Sequence, residues 1–317
     1  MKSQTGEKSQ EFLRQEINRM KKEKNALIMA HYYQRDEIQE IADFIGDSLA
    51  LARQAAKTDA DIIVMCGVHF MGETAKILCP DKKVLIPDPL AGCSLAESCD
   101  PEEFKKFVEE RPDHTVVSYV NTSAAVKALT DIVVTSGNAR KIVEKLPEDE
   151  KIIFGPDRNL GEYINSVTGR NMVLWKGACH VHDRFSIEKI IEMKKAHPGA
   201  KVLVHPECRR PLQLIADKVG STGALLDYAE TDEAKEYIVV TESGILFEMR
   251  KKCPHKIFHA APAEDSECQC NECDYMKLNT LEKVYECLKN ESPEISVEPD
   301  IVARALKPIV RMLQMSE

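Results

Sequence analysis

The sequence predicts an α/β protein of three pseudo-equivalent α/β/α domains, each built on a parallel sheet, set around a pseudo-threefold axis. Three observations carry this expectation. Short apolar runs start at Ala26, Val116 and Val202, 90 and 86 residues apart. Further landmarks keep nearly the same spacing: Asp43, Asp131 and Asp217 lie 88 and 86 apart, Ile62, Ile152 and Ile238 lie 90 and 86 apart, and the runs ending at Asp88, Lys176 and Ala261 lie 88 and 85 apart. Each copy then closes on cysteine, at Cys93, at Cys179 and at the Cys268/Cys270/Cys273 group. A period this long indicates whole small domains, because solenoid repeats run about 20–50 residues. Three separated thiols closing equivalent units point to a metal centre on the pseudo-threefold axis.

The elements follow in order. Residues 1–24 hold an N-terminal helix over 9–23, with Phe12, Leu13, Ile17 and Met20 on one face. Residues 25–114 form the first repeat with its site loop at Cys93, 115–199 the second with Cys179, and 200–278 the third with Cys273. Each repeat reads strand, helix, short strand, helix, strand, helix, strand, cysteine loop. The strands are continuous apolar runs such as DIIVM, KIIF and YIVV, the pattern of parallel strands covered on both faces. Alternation with helices of about 10–15 residues implies right-handed crossovers. Residues 279–317 carry two more helices, over 279–290 and 298–315, separated by a loop at Pro293 and Glu294.

Composition narrows the function classes. The chain has 317 residues, a net charge of −9 and 43% hydrophobic content. That charge argues against nucleic acid as the main partner, since a phosphate backbone needs a basic face. No apolar run approaches the roughly 20 residues that span a bilayer, and no secretory apolar region follows the polar start, so a cytoplasmic protein off the membrane is expected. In that compartment eleven cysteines stay reduced, and clustered ones read as metal-binding or catalytic. Cys66, Cys79, Cys253 and Cys287 read as packing residues. Cys99 and Cys208 lie nearer the candidate loops.

Ligands of open parallel sheets bind beyond the carboxyl ends of the strands. After the first strands come His31-Tyr32-Tyr33, Asn121-Thr122-Ser123 and His205-Pro206-Glu207; after the second come Gly46-Asp47-Ser48, Thr135-Ser136-Gly137-Asn138 and Gly220-Ser221-Thr222-Gly223. The second set opens helices, and its hydroxyls either cap them or, with the helix N-termini, hold anions. Glu207 and His205 suit general acid–base work or form a buried ion pair. Tyr33 and Tyr119 offer phenols to developing negative charge. His180 and His182, beside Cys179, are ligands, outer donors or surface residues. Three thiolates on a four-iron cluster leave one iron open to act as a Lewis acid, which suggests a non-redox lyase or condensing enzyme on small anions. The competing class is a non-enzymatic, redox-sensing binding protein stapled by zinc or an iron–sulfur cluster.

The segments AHYYQ (30–34), IADFIGDSLALAR (41–53), SYVNTSAAVKAL (118–129), FGPDRNLGEYI (154–164), VHPEC (204–208) and VGSTGALL (219–226) resemble those of quinolinate synthase, nearly end to end. The resemblance implies a [4Fe–4S] cluster held by Cys93, Cys179 and Cys273. It implies condensation of iminoaspartate with dihydroxyacetone phosphate to quinolinate for NAD synthesis, with loss of phosphate and two waters. The substrate positions it implies are His31, Ser48, Tyr119, Asn121, Ser136, His205, Glu207 and Thr222, with Ser221 beside them. Glu207 would shuttle protons while Tyr33, Tyr119 and His205 stabilise charge. An oxidase supplying iminoaspartate and the iron–sulfur assembly machinery are the expected partners. In the third segment Cys268-Gln269-Cys270 precedes Cys273, a departure from members with a single cysteine or a CxxCxxC run. Cys273 matches the ligand position because it leads into Asp274-Tyr275-Met276. Cys268 and Cys270 read as idle loop thiols or as a redox pair that displaces the loop.

Overall fold

Twelve strands fall into three four-stranded sheets, and every pairing within them is parallel. The structure is a computed structural model, and it describes residues 4–264 and 271–317; Cys268 and Cys270 lie outside them. The first sheet holds β1 (Ala26–His31), β2 (Phe44–Gly46), β3 (Ile62–Cys66) and β4 (Lys83–Leu85) in the order β2-β1-β3-β4. The second holds β5 (Thr115–Tyr119), β6 (Ile132–Val134), β7 (Ile152–Gly155) and β8 (Val173–Leu174) in the order β6-β5-β7-β8. The third holds β9 (Lys201–Val204), β10 (Lys218–Val219), β11 (Glu236–Val240) and β12 (Ile257–Ala260) in the order β10-β9-β11-β12. A helix separates each strand from the next within a sheet. This is an α/β fold of three flanked parallel sheets, as the apolar runs predict. β3, Ile-Ile-Val-Met-Cys, is buried at every position because helices cover both faces.

The repeat extends to register and hydrogen bonds. Met29 pairs Phe44, Val117 pairs Ile132 and Leu203 pairs Lys218, fifteen residues apart in each case. Beside each pair an aspartate clamps the first strand. Asp43 Oδ2 accepts from Ile28 N at 2.8 Å, Asp131 Oδ2 from Val116 N at 2.8 Å and Asp217 Oδ2 from Val202 N at 2.7 Å. The same aspartates return their own N–H to the carbonyls of Ile28, Val116 and Val202, each at 2.9 Å. Edge-facing backbone groups are thereby satisfied by one short acidic residue, which explains why that residue type recurs. Counted from the clamp, His31, Tyr119 and His205 take one equivalent position, and Ser48, Ser136 and Thr222 another.

The chain forms two compact units, Met1–Cys93 with Asp274–Ala303, and Ser94–Cys273 with Arg304–Glu317. In the first, helix Gln4–Glu23 packs Leu13, Ile17 and Met20 onto Ile28, Val64 and Leu85 of the sheet and onto Leu281, Val284 and Leu288 of helix Leu281–Asn290. The N-terminal helix begins five residues before the expected start. Phe12 is not on its packed face: it is 55% exposed, because Leu13, Ile17 and Met20 form the i, i+4, i+7 stripe and Phe12 lies about 100° round the helix from it. In the second unit, one core joins Phe104, Val116, Val126 and Ile153, with Phe104 edge-on to Trp175 at 5.6 Å. Another joins Phe185, Val202, Val204, Leu212, Ile238 and Val240. Helix Pro299–Met315 carries buried Ala305, Ile309 and Met312; Lys145 donates to the carbonyl of its last residue, Met315, and Lys141 to that of Ser316 just beyond. Among the described residues no helix is long and apolar enough to cross a membrane.

Candidate active site

The second unit brings the carboxyl ends of its two sheets together on Glu207. This residue follows β9 and is 2% exposed. The phenol of Tyr119, at the end of β5, donates a short hydrogen bond to Glu207 Oε1. His182 Nδ1 lies 3.0 Å from Glu207 Oε2, and His205 Nδ1 lies 3.9 Å from Oε1. The rings of His182 and His205 stack with centroids 4.5 Å apart. The Nδ1 of His205 accepts the Glu207 N–H at 3.3 Å, so the ring turns Nε2 towards Ser136 Oγ, also 3.3 Å away. His182 is held from both sides, by Thr241 Oγ1 at 2.9 Å from Nε2 and by Cys179 Sγ at 3.3 Å from Nδ1. Asn159 fixes the backbone here, donating to the Glu207 carbonyl at 2.9 Å.

The helix-opening loops converge on the same end of the unit. A Cβ at Gly137 would lie 3.3 Å from Ser221 Oγ, so the loops after β6 and β10 are in contact. Ser221 caps helix Thr222–Thr231 by accepting from Ala224 N, which places Thr222 at the first helical position. Asn121, two residues past β5, has a buried Oδ1 with no partner among the described residues, and so does Thr135 Oγ1. Buried acceptors seldom go unmet, and at a strand end such orphans mark where a ligand's donors belong. In the first unit His31 and Tyr33 are both buried at the end of β1, their rings edge-on at 4.5 Å, and His31 Nδ1 accepts from Tyr33 N at 3.2 Å. That geometry repeats the one at His205 and Glu207. Lys277 Nζ pins the loop by donating to the Tyr33 carbonyl at 2.8 Å. Ser48 opens helix Ser48–Lys57 behind its cap, Asp47, whose carboxylate accepts from Ala50 N.

Charge is distributed unevenly among the buried carboxylates. Burial pushes the Glu207 carboxyl up, but His182 and His205 outweigh it, helped by hydrogen bonds from His182 and Tyr119, and hold it down to about 2. Asp157, after β7, goes the other way: burial and the neighbouring Glu207 charge push it well above the usual carboxylate range. Opposed shifts in adjacent acids are a common mark of catalytic sites.

Cysteine burial separates two classes. Of the nine described cysteines, Cys66, Cys79, Cys99, Cys208, Cys253 and Cys287 are buried, and Cys93, Cys179 and Cys273 are partly exposed. Desolvation pushes the thiols of Cys99 and Cys287 up to about 12 and raises Cys66, Cys79 and Cys208 as well, so these are packing residues. Cys93 follows β4, Cys179 follows β8 and Cys273 follows β12. The two in the second unit have backbones anchored by fully buried acids: Asp157 Oδ2 accepts from Cys179 N at 3.1 Å, and Glu242 Oε1 from Cys273 N at 3.2 Å. Cys179, His182 and Glu207 offer ligand atoms within 4.8 Å of one another. This donor set fits a thiolate-bound metal group.

Sequence reasoning left His182 unassigned and missed Asp157, Asn159 and Glu242. Asp157 and Asn159 stand inside FGPDRNLG, and both Asp157 and Glu242 come just after an apolar strand, so their positions carried a signal. His180 is instead engaged by Ser94 Oγ, 2.5 Å from its Nδ1.

Comparison with known proteins gives the family. The family model described as NadA, quinolinate synthetase A protein, matches residues 15–314. The quinolinate synthase of Chloroherpeton thalassium is 55% identical over 309 residues, covering 98% of this chain and 96% of the relative. Those of Microcystis aeruginosa and a Synechocystis species are each 56% identical over 300 residues, covering 95% of this chain and 94% of the relative. With a family match across nearly its whole length and relatives more than half identical over it, this chain belongs to the quinolinate synthetase A family.

Proposed function

We propose that this chain is a cytoplasmic quinolinate synthase, condensing iminoaspartate with dihydroxyacetone phosphate to quinolinate, phosphate and two waters in de novo NAD synthesis. The observation that carries the reading is Glu207: a buried carboxylate contacted by Tyr119 and His182, with His205 beside it and the orphaned Asn121 Oδ1 two residues past Tyr119. Cys93, Cys179 and Cys273 would hold a [4Fe–4S] cluster, which when bound supplies an open iron as a Lewis acid for substrate oxygens.

The chain's own residues account for the rest. Glu207, kept ionised by its imidazole neighbours, takes and returns the protons that isomerisation and dehydration move. Tyr119, Tyr33 and His205 donate to charge as it develops on substrate oxygen. The iminoaspartate carboxylates would be held by the hydroxyls of Ser48, Ser136, Ser221 and Thr222 with the N-termini of the helices at Ser48 and Thr222, while His31 and Asn121 add hydrogen bonds. No arginine lies in these loops, so binding rests on helix ends, hydroxyls and imidazoles. Burial of the group excludes water from a reactive imine. An oxidase supplying iminoaspartate and the iron–sulfur assembly machinery are the partners this chemistry requires.

Iron and acid-labile sulfide analysis of anaerobically prepared protein tests the ligand assignment. About four irons and four sulfides per chain are expected in the parent. Cys93→Ala, Cys179→Ala and Cys273→Ala should lose the cluster, and Cys208→Ala should keep it. An intact cluster in Cys179→Ala would refute the assignment.

A further inference from the structure

A second donor cluster lies at the opposite end of the third sheet. Glu236 is the first residue of β11, and His259 pairs across from Ile238 on β12, so Glu236 and His259 share one sheet face two residues apart. His197, at the carboxyl end of helix Ile187–Ala196, closes over that face. His197 Nδ1 lies 2.7 Å and His259 Nε2 lies 2.8 Å from the same atom, Glu236 Oε1. The two rings are 4.2 Å apart between centroids and tilted by 38°. Side-chain exposures of 36%, 26% and 25% leave the cluster open to solvent ions. Counting five residues along β11 places it about 16 Å from Thr241 at the carboxyl end, outside the active site.

We propose that His197, Glu236 and His259 form a binding site for a borderline transition cation, zinc above all, that ties the helix end to the edge strand β12. Two imidazoles and one carboxylate are a zinc donor set with positions left for water, whereas magnesium and calcium want oxygen throughout. Ligand bonds of about 2.0–2.2 Å at tetrahedral angles put ligand atoms about 3.3 Å apart. The present contacts need to open by only about 0.5 Å to reach that spacing. The ligands sit on a helix end and two hydrogen-bonded strands, which limits how far they can stray. On binding, the metal takes the lone pairs of His197 Nδ1 and His259 Nε2, and each ring carries its proton on the other nitrogen. Hydrogen bonds from His259 and, against the opposing effect of burial, from His197 already hold the Glu236 carboxyl below its usual range, in the ionised form a cation requires.

The test uses cluster-loaded protein, so that the active-site thiols are occupied. Zinc chloride is titrated calorimetrically, and bound zinc is measured after dialysis, in the parent and in Glu236→Gln and His259→Gln. The parent should hold one more zinc per chain than either variant, with at least a tenfold loss of affinity in the variants at unchanged iron content. Zinc should also raise the parent's Tm and leave both variants unmoved, a readout independent of activity. Equal zinc stoichiometry and affinity in the parent and in either variant would overturn the site.

Discussion

In the proposed reaction Glu207 concentrates the proton chemistry into one side chain, and two substitutions separate its parts. Glu207→Gln keeps shape and hydrogen bonding but removes the base. Turnover should fall by about a hundredfold or more, the scale of general acid–base groups, with iron content unchanged. Near-parental turnover would reduce Glu207 to a positioning residue. In that proposal His182 acts through Glu207: its Nδ1 is the nearest imidazole nitrogen at 3.0 Å, and it opposes a burial effect that pushes the carboxyl up. Without His182 the folded-state pKa of Glu207 rises from about 2. Because the base must be ionised, the acid limb of the pH–rate profile in His182→Ala should then move to higher pH. An unshifted profile would show that His182 does not tune the acid. Glu207 and His205 were legible in the sequence because VHPEC follows an apolar run directly. His182 was visible only as a polar neighbour of Cys179, since which way a short helical turn aims its side chains depends on the fold around it.

At the scale of elements, the aspartate clamps turn a sequence period into a structural one. Each returns a hydrogen bond to both backbone groups of one strand residue across a fifteen-residue gap. Asp131→Ala should therefore cost about 1 kcal/mol of stability, the usual net worth of one such bond, while Asp131→Asn should cost much less because it keeps an acceptor. Urea denaturation of the two variants checks this, and equal stability in both would deny the clamp any energetic role. The strands were readable because parallel sheets covered on both faces make unbroken apolar runs, and the aspartates were readable because the same residue recurs beside each. Phe12 misled because it adjoins the packed stripe without belonging to it. Asp157 and Glu242 stand where strand ends mark candidates, but the loops they brace, 22 and 31 residues further along the chain, are reached only by tertiary contact.

For the molecule as a whole, triplication explains how a chain of ordinary composition supplies the residues of the proposed function. One plan written three times offers equivalent strand ends, at which His31, Tyr119 and His205 stand in one register and Ser48, Ser136 and Thr222 in another. Divergence in the first register yields imidazole and phenol, and two residues further on, at Tyr33, Asn121 and Glu207, phenol, amide and acid stand on a common scaffold. Cys93, Cys179 and Cys273, one in each copy, are also the partly exposed ones among the nine described cysteines. The measurement that tests this account most directly is quinolinate formation by anaerobically purified protein given freshly generated iminoaspartate and dihydroxyacetone phosphate. The account predicts quinolinate and phosphate in equal amounts, abolished when the cluster is removed and restored when it is rebuilt. Cluster-loaded, folded protein that consumes neither substrate would contradict it.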